Sequence, residues 1–395
     1  MRGVRAAFVG GPMYDGLYEA VPAFERARDV RVEIVARLPH PELNAFVKHA
    51  FETSAPLDVI STHTKYAPSQ ARWLSPLDDV APPSVVQDLL PRPLELSRIE
   101  GRLLQIPRNL DVRLLHYRSD LIAEPPRTWT ELIDVAASVA SPNGSPPVYG
   151  FLFPGRDSGL FGTFYELLVC AGGELFDADL RPAFDSDAGR WAIERIVELH
   201  HERRVTPRDL DRRHYDEISA SFRAGEAAMV CDWPGSYHLY RDPATCRVAD
   251  RVALALLPTG PGGRRAAYAG CHSFAITRSA RDREAAAALI EHLTSFDAQL
   301  AEARHGAIPC RASALAAIGT ADAGDARASA RWRLLAETEP TMIIPPRFAA
   351  YPQCEDALWR AVQRAMVGEL PAAEAIRGAA SDVRHILASE PLAHR

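Results

Sequence analysis

The sequence predicts an α/β protein of more than one domain, and three observations lead there. The first 60 residues alternate short apolar runs of strand length with segments of helical periodicity. At 395 residues the chain is two to three times the usual domain size. Its 47% hydrophobic and 24% charged residues are the balance of an ordinary globular chain with enough apolar material for real cores.

The elements follow in order. Residues 4–9 form an apolar run closed by Gly10-Gly11-Pro12, a strand and its loop. Over 14–27, Leu17, Val21 and Phe24 recur at helical spacing, the mark of one buried face. Residues 30–35 alternate as a second strand, 42–53 read as a helix and 57–60 as a third strand. This rhythm requires right-handed crossovers and parallel pairing. The polar, Pro-rich stretch 78–93 is expected to be irregular, with one short helix. Strands are expected at 103–106 and 112–117, flanking Pro107-Arg108-Asn109.

Thr128 followed three residues later by Glu131 is a capping box for a helix ending near residue 140, with a loop over 141–147. Residues 159–171 are apolar on most sides and read as a buried helix. Ser186 caps a helix carrying Trp191, Ile193, Ile196 and Val197. A helix over 215–223 stops at Gly225, and a strand follows at 227–231. Further strands are expected at 252–257, before the turn 258–263, and at 274–276. A single amphipathic helix is expected over 285–300, weak Ala-rich patterning over 312–330, and two closing helices near 354–366 and 372–387.

A formal net charge of −6 argues against a nucleic-acid binder working by phosphate neutralisation. No run of 18 apolar residues is present. The six cysteines show neither C-x-x-C spacing nor a Cys/His pattern of zinc type, so mostly unpaired buried thiols are expected. The basic start, Arg2 and Arg5, is followed by only four apolar residues, too few for a signal-peptide core, and no lipid-attachment cysteine follows. Read as written, the chain is either cytoplasmic or a mature form whose export signal has been removed. There is no G-x-S-x-G elbow, Walker loop, G-x-G-x-x-G after a strand or H-E-x-x-H. The expectation is a binder rather than an enzyme, with no cofactor and no resident metal.

Four stretches carry a family likeness. Leu57-Asp58-Val59-Ile60 followed by Leu74-Ser75-Pro76-Leu77-Asp78 is the first. The second runs from Ile106-Pro107 through Leu114-Leu115-His116-Tyr117-Arg118-Ser119-Asp120-Leu121 to Pro126-Arg127-Thr128-Trp129-Thr130-Glu131-Leu132. Phe222-Arg223-Ala224-Gly225-Glu226-Ala227-Ala228-Met229 and Gly368-Glu369-Leu370-Pro371-Ala372-Ala373-Glu374-Ala375-Ile376 complete the set. Together, in this order, they resemble the family 1 extracellular solute-binding proteins, the sugar-capturing subunits of bacterial ABC importers. Arg118 stands where the family usually has Asn.

The resemblance implies a two-lobe, periplasmic-binding-protein-like fold of type II, with a ligand cleft between lobes joined by crossing hinge strands. The lobes would comprise 1–110 with 258–308, and 111–257 with 309–395. It further implies capture of a carbohydrate, polyol or sugar acid by a monomer, delivery to ABC permease subunits, and a periplasmic or other extracytoplasmic location. A signal-less cytoplasmic sugar or sugar-acid sensor on the same fold is the alternative.

Ligand groups would come from loops at the carboxyl ends of strands. Tyr14 and Asp15 follow the first strand, although Asp15 also suits a plain helix cap. His63 and Lys65 follow the third. Asn109 and Asp111 sit at the first crossing segment, where a salt bridge from Asp111 to Arg108 or Arg113 is the competing reading. Arg156 precedes a helix. Trp233, between Asp and Pro, is poorly placed for a core and is the leading candidate for a stacking platform, with Tyr237 close behind. Gly270 and His272 belong to a further loop, Gly270 allowing close backbone approach. Arg347 falls in the last loop. Trp359 lies where the family places a stacking tryptophan, although its helix face also suits a core. Lys65, Arg108, Arg113, Arg156 and Arg347 are enough cations to raise the possibility of an acidic sugar, with a neutral sugar ahead.

Overall fold

The opening rhythm is present as read. The computed structural model describes residues 2–11, 14–144 and 147–389. Strands are numbered in chain order. β1 (Arg2–Val9) leads into the helix Asp15–Arg28, β2 (Val30–Leu38) into the helix His40–Glu52, and β3 (Val59–His63) follows. β1 pairs in parallel with both β2 and β3. Alternate residues of β1 feed two different cores. Val4, Ala6 and Phe8 pack with Leu17, Phe24 and Leu289, whereas Ala7 and Val9 pack with Leu43, Val47 and Ile60. A strand apolar on both faces belongs to a sheet covered on both sides by helices.

The chain divides into two compact units. The first holds residues up to 111, with 270–329 and 347–349; the second holds 112–269, 330–346 and the chain from 350 on. The expected divisions lay at 110/111, 257/258 and 308/309. In the first unit β4 (Arg98–Ile99) and β5 (Arg102–Leu103) form a small ladder of their own. The main sheet adds β6 (Ile106–Val112), β11 (Ala267–Ile276) and β12 (Ile308–Pro309), in the order β12-β6-β11-β3-β1-β2. β11 runs antiparallel to β3, which makes the sheet mixed.

In the second unit β7 (Leu114–Arg118), β8 (Tyr149–Leu152), β9 (Ala227–Asp232) and β10 (Val252–Ala255) form a sheet in the order β10-β7-β9-β8. β13 (Met342–Ile343) pairs with Ala267 and Tyr268 at the start of β11. The helix Asp157–Cys170 is buried from Gly159 onward, as its all-round apolar sequence requires. Its own Phe161 and Phe164 are buried, as are Trp129 and Phe151, whose rings meet edge-on at 6.1 Å.

Several elements differ from the sequence reading. Pro107 lies inside β6 rather than between strands, because β12 meets β6 only at Asn109 and Leu110 and asks for no N–H at Pro107. The break falls at Arg113 instead. The helix expected over 285–300 is two, Arg283–Leu293 and Phe296–Arg304, because Ser295 caps the second by accepting from the Ala298 amide. The stretch 78–93 holds one short helix, Pro83–Gln87, and the start of another, Pro91–Ser97, while 312–338 forms Ala312–Ala321 and Ala326–Thr338. Only half of the capping box at Thr128 is made: its hydroxyl accepts from Glu131 N, but Glu131 Oε2 accepts from the Arg127 amide. β11 begins seven residues before its expected start, since Ala, Gly, Cys, His and Ser hide its strand pattern. Pro12 and Met13, in the first expected loop, and Ser145 and Pro146 lie outside the described residues. All six cysteines are free and buried, with Cys271 Sγ and Cys310 Sγ 3.4 Å apart.

Candidate functional site

Each unit gathers one polar and aromatic group, and the two are described separately. In the first unit the group gathers the ends of β1, β2 and β3 with side chains inside β6 and β11; Gly270 and His272, expected in a loop, lie within β11, where pairing with β3 makes them strand. His63 closes β3, and the register sets His272 of β11 directly opposite it. Cross-strand partners of this kind are forced into contact, and the two rings meet edge-on at 5.2 Å. His40, which opens the helix after β2, stacks on His272 at 4.6 Å, with Nε2 of His40 3.1 Å from Nδ1 of His272. The Tyr14 hydroxyl lies 3.2 Å from Nε2 of His272.

β6 supplies the acid. Asp111 Oδ2 is 3.0 Å from His272 Nε2, and Asn109 Nδ2 donates to Asp111 Oδ1 at 2.7 Å. The competing salt bridges are not made by Asp111. Arg108 donates to Glu302 at 2.9 Å and Arg113 is held by Glu166. Lys65, buried beside His63, places its ammonium 4.7 Å from the Tyr66 ring. Burial holds the His63 pKa well below its ordinary value, and the neighbouring His272, His40 and Lys65 push the same way. The ring is therefore neutral at pH 7.

In the second unit Trp233 follows β9, its amide donating to Asp232 Oδ1 at 2.8 Å. The half-buried indole lies 5.5 Å from the Tyr215 ring and 5.6 Å from that of Tyr268. Behind them Arg113 and Glu166, both fully buried, form a two-pronged ion pair at 3.0 and 2.5 Å, and Glu166 Oε1 also accepts from the Tyr268 amide at 2.7 Å. Burial pushes the Asp232 carboxyl up to about 6, against the hydrogen bond from Tyr240. Tyr237 is set apart, with the Arg331 guanidinium 4.8 Å from its ring.

Of the residues expected from sequence, the fold brings Tyr14, His63, Lys65, Asn109, Asp111, Gly270 and His272 into one group, and Trp233 into the other. Asp15 is exposed in an ion pair with Arg37. Arg156 pairs with Asp157 and donates to the Arg212 carbonyl. Arg347 donates to the carbonyls of Thr64 and Arg98. Trp359 is buried on the helix Tyr351–Met366 and gives its indole N–H to Asp356. Sequence reading missed His40, Tyr66, Tyr215 and Tyr268. His40 had a signal: it follows the second parallel strand as Tyr14 follows the first and His63 ends the third.

A family model described as bacterial extracellular solute-binding protein matches residues 10–300. The chain belongs to this family. Maltose-bound MalE3 of T. maritima is 26% identical, with a TM-score of 0.89, and the match covers 98% of this chain and all of that one. A mannitol-binding protein of Pseudomonas aeruginosa is 26% identical over 235 residues, 56% of this chain and 52% of that one. A probable ABC transporter-binding protein of Deinococcus radiodurans is 25% identical over 242 residues, 57% of this chain and 55% of its own. The chain thus spans about half the length of these two curated relatives. The two-unit α/β architecture agrees with the T. maritima solute-binding structure.

Proposed function

We propose that this family member is the solute-capturing component of an ABC importer and that its solute is a neutral carbohydrate or polyol. It would work outside the cytoplasm as a monomer, deliver its solute to permease subunits and catalyse no reaction. Membership of the solute-binding family over most of the chain carries the reading. The maltose in the T. maritima protein and the mannitol named for the Pseudomonas relative support that solute class.

The two groups suit such a solute chemically. Trp233, flanked by Tyr215 and Tyr268, offers a flat apolar face for polarised C–H groups. Tyr14, Asn109, Asp111 and His272 offer donors and acceptors for hydroxyls. The cations that raised an acidic sugar are mostly engaged. Arg108, Arg113 and Arg156 are in ion pairs, and Arg347 is spent on backbone carbonyls. A carboxylate would have to break one of these pairs to be gripped.

A thermal-shift panel of maltose, mannitol, glucuronate and common amino acids tests the reading. A true ligand at about 100 times its dissociation constant adds about 2.7 kcal/mol. Stabilisation by maltose or mannitol supports the proposal, and stabilisation by amino acids alone would replace it.

A further inference from the structure

We propose that His63, His272 and Asp111 form a site for a divalent transition-metal ion of the zinc type. One donor atom from each lies within 4.8 Å of the other two. The three residues come from β3, β11 and β6, which are neighbours in one sheet, so the donors are fixed by rigid elements rather than by a loop. No metal-like spacing appears in the sequence because the three lie far apart along the chain. All three are more than nine-tenths buried.

The second observation is a carboxylate oxygen without a hydrogen bond. Asp111 Oδ1 is taken by Asn109, but among the described residues Oδ2 receives no properly directed donor, although His272 Nε2 is only 3.0 Å away. A buried anionic oxygen in that condition is costly, and a cation shared with the imidazole nitrogen would relieve it. The surroundings suit such an ion. Asn109 orients the carboxylate. His40 Nε2, 3.1 Å from His272 Nδ1, can accept a hydrogen bond from Nδ1–H, the tautomer that leaves His272 Nε2 free to ligate. The Lys65 amide makes only a long 3.3 Å contact to His63 Nδ1, which a metal bond can replace.

Two imidazoles and one carboxylate are borderline donors that favour zinc, cobalt or nickel over magnesium and calcium, and they leave a coordination position open. Lys65 beside His63 opposes the added charge, and Arg108 is already balanced by Glu302. The ion should therefore be exchangeable rather than permanent. The inference does not rest on the carbohydrate reading.

The test uses the full chain stripped with a chelator. Zinc is titrated by calorimetry, and cobalt is followed by its visible ligand-field bands. The expected result is one ion per chain, with intensified cobalt bands, no competition from magnesium, and at least tenfold weaker binding in His272→Ala and Asp111→Asn. Asp111→Asn keeps the size of the side chain and decides the matter if His272→Ala does not fold. Absent cobalt bands, or zinc affinity unchanged in both variants, would overturn the site, the latter showing capture by other histidines such as the exposed His49. A thermal shift by maltose or mannitol in the presence of chelator reports on the solute separately.

Discussion

Gly270 lies so close to His63 that a side chain at position 270 and the imidazole cannot share the space. A Cβ added there would stand 2.3 Å from both Cε1 and Nε2 of the ring. The strand β11 thus passes under His63 only because residue 270 has no side chain. Gly270→Ala is expected to drive His63 out of its place, destabilise the protein by about 1–3 kcal/mol and weaken solute binding at least tenfold. Denaturant unfolding and calorimetry measure the two effects. The double variant with His63→Ala should recover stability relative to the sum of the single changes, and strict additivity would show that the two residues do not compete for space.

Trp233→Ala removes a ring that is flanked by Tyr215 and Tyr268 and is itself only half-buried. We expect at least a tenfold loss of solute affinity, about 1.4 kcal/mol, with the unfolding midpoint little changed. Unchanged affinity in a calorimetric titration would make the tryptophan scaffold.

Glu166 holds Arg113 in the fully buried interior of the second unit and also receives the Tyr268 amide. Glu166→Ala leaves a buried guanidinium without its counter-charge and should cost about 3–5 kcal/mol. The double variant Arg113→Met with Glu166→Leu should cost much less. Equal losses in urea titrations of the two would show that the charge is not what matters.

Three buried groups contribute to the pH dependence of stability. His63 and His116 have pKa values lowered by burial, that of His116 to about 3. Each is neutral in the fold but protonates near 6.5 once unfolded, so the fold loses stability as pH falls below about 6.5. Asp232 acts in the opposite sense. Its folded pKa of about 6 lies above the unfolded value of 3.8, so its contribution is full below 3.8 and is lost as pH rises through about 6. Asp232→Asn should therefore lose stability more steeply than the wild type between pH 6 and 4, and His116→Phe less steeply. Parallel curves for all three proteins in urea unfolding at stepped pH would contradict these assignments.

The parts of the fold that read cleanly from sequence are those where periodicity is strong and local. Leu17, Val21 and Phe24 gave the first helix, and Ser186 and Thr128 mark helix starts that the structure keeps. What sequence hid was decided by tertiary partners. β11 is long because β3 and β6 pair with it, although AYAGCHS has no strand alternation. Pro107 is tolerated in a strand because on one side β6 is paired only by the two-residue β12, which does not reach it. Of the candidate groups, Tyr14 and Trp233 follow strands and His63 ends one, which made them visible in the sequence, whereas Asp111 and His272 lie within β6 and β11. His40, Tyr66, Tyr215 and Tyr268 were not singled out, since their roles depend on pairing between distant segments. Trp233, expected to be poor core material, is half-buried, whereas Trp359 is buried on its own helix.

The proposed function is recognition of a neutral carbohydrate or polyol. Calorimetric titration of the full chain with maltose, mannitol and glucuronate, each at low and high salt, tests it most directly. Neutral recognition by stacking and hydrogen bonds predicts saturable binding of maltose or mannitol whose affinity barely changes with ionic strength, because no partly exposed charge pair is there to be screened. Tighter binding of glucuronate that weakens as salt rises would contradict the account and return Lys65 and Arg347 to the centre of the site.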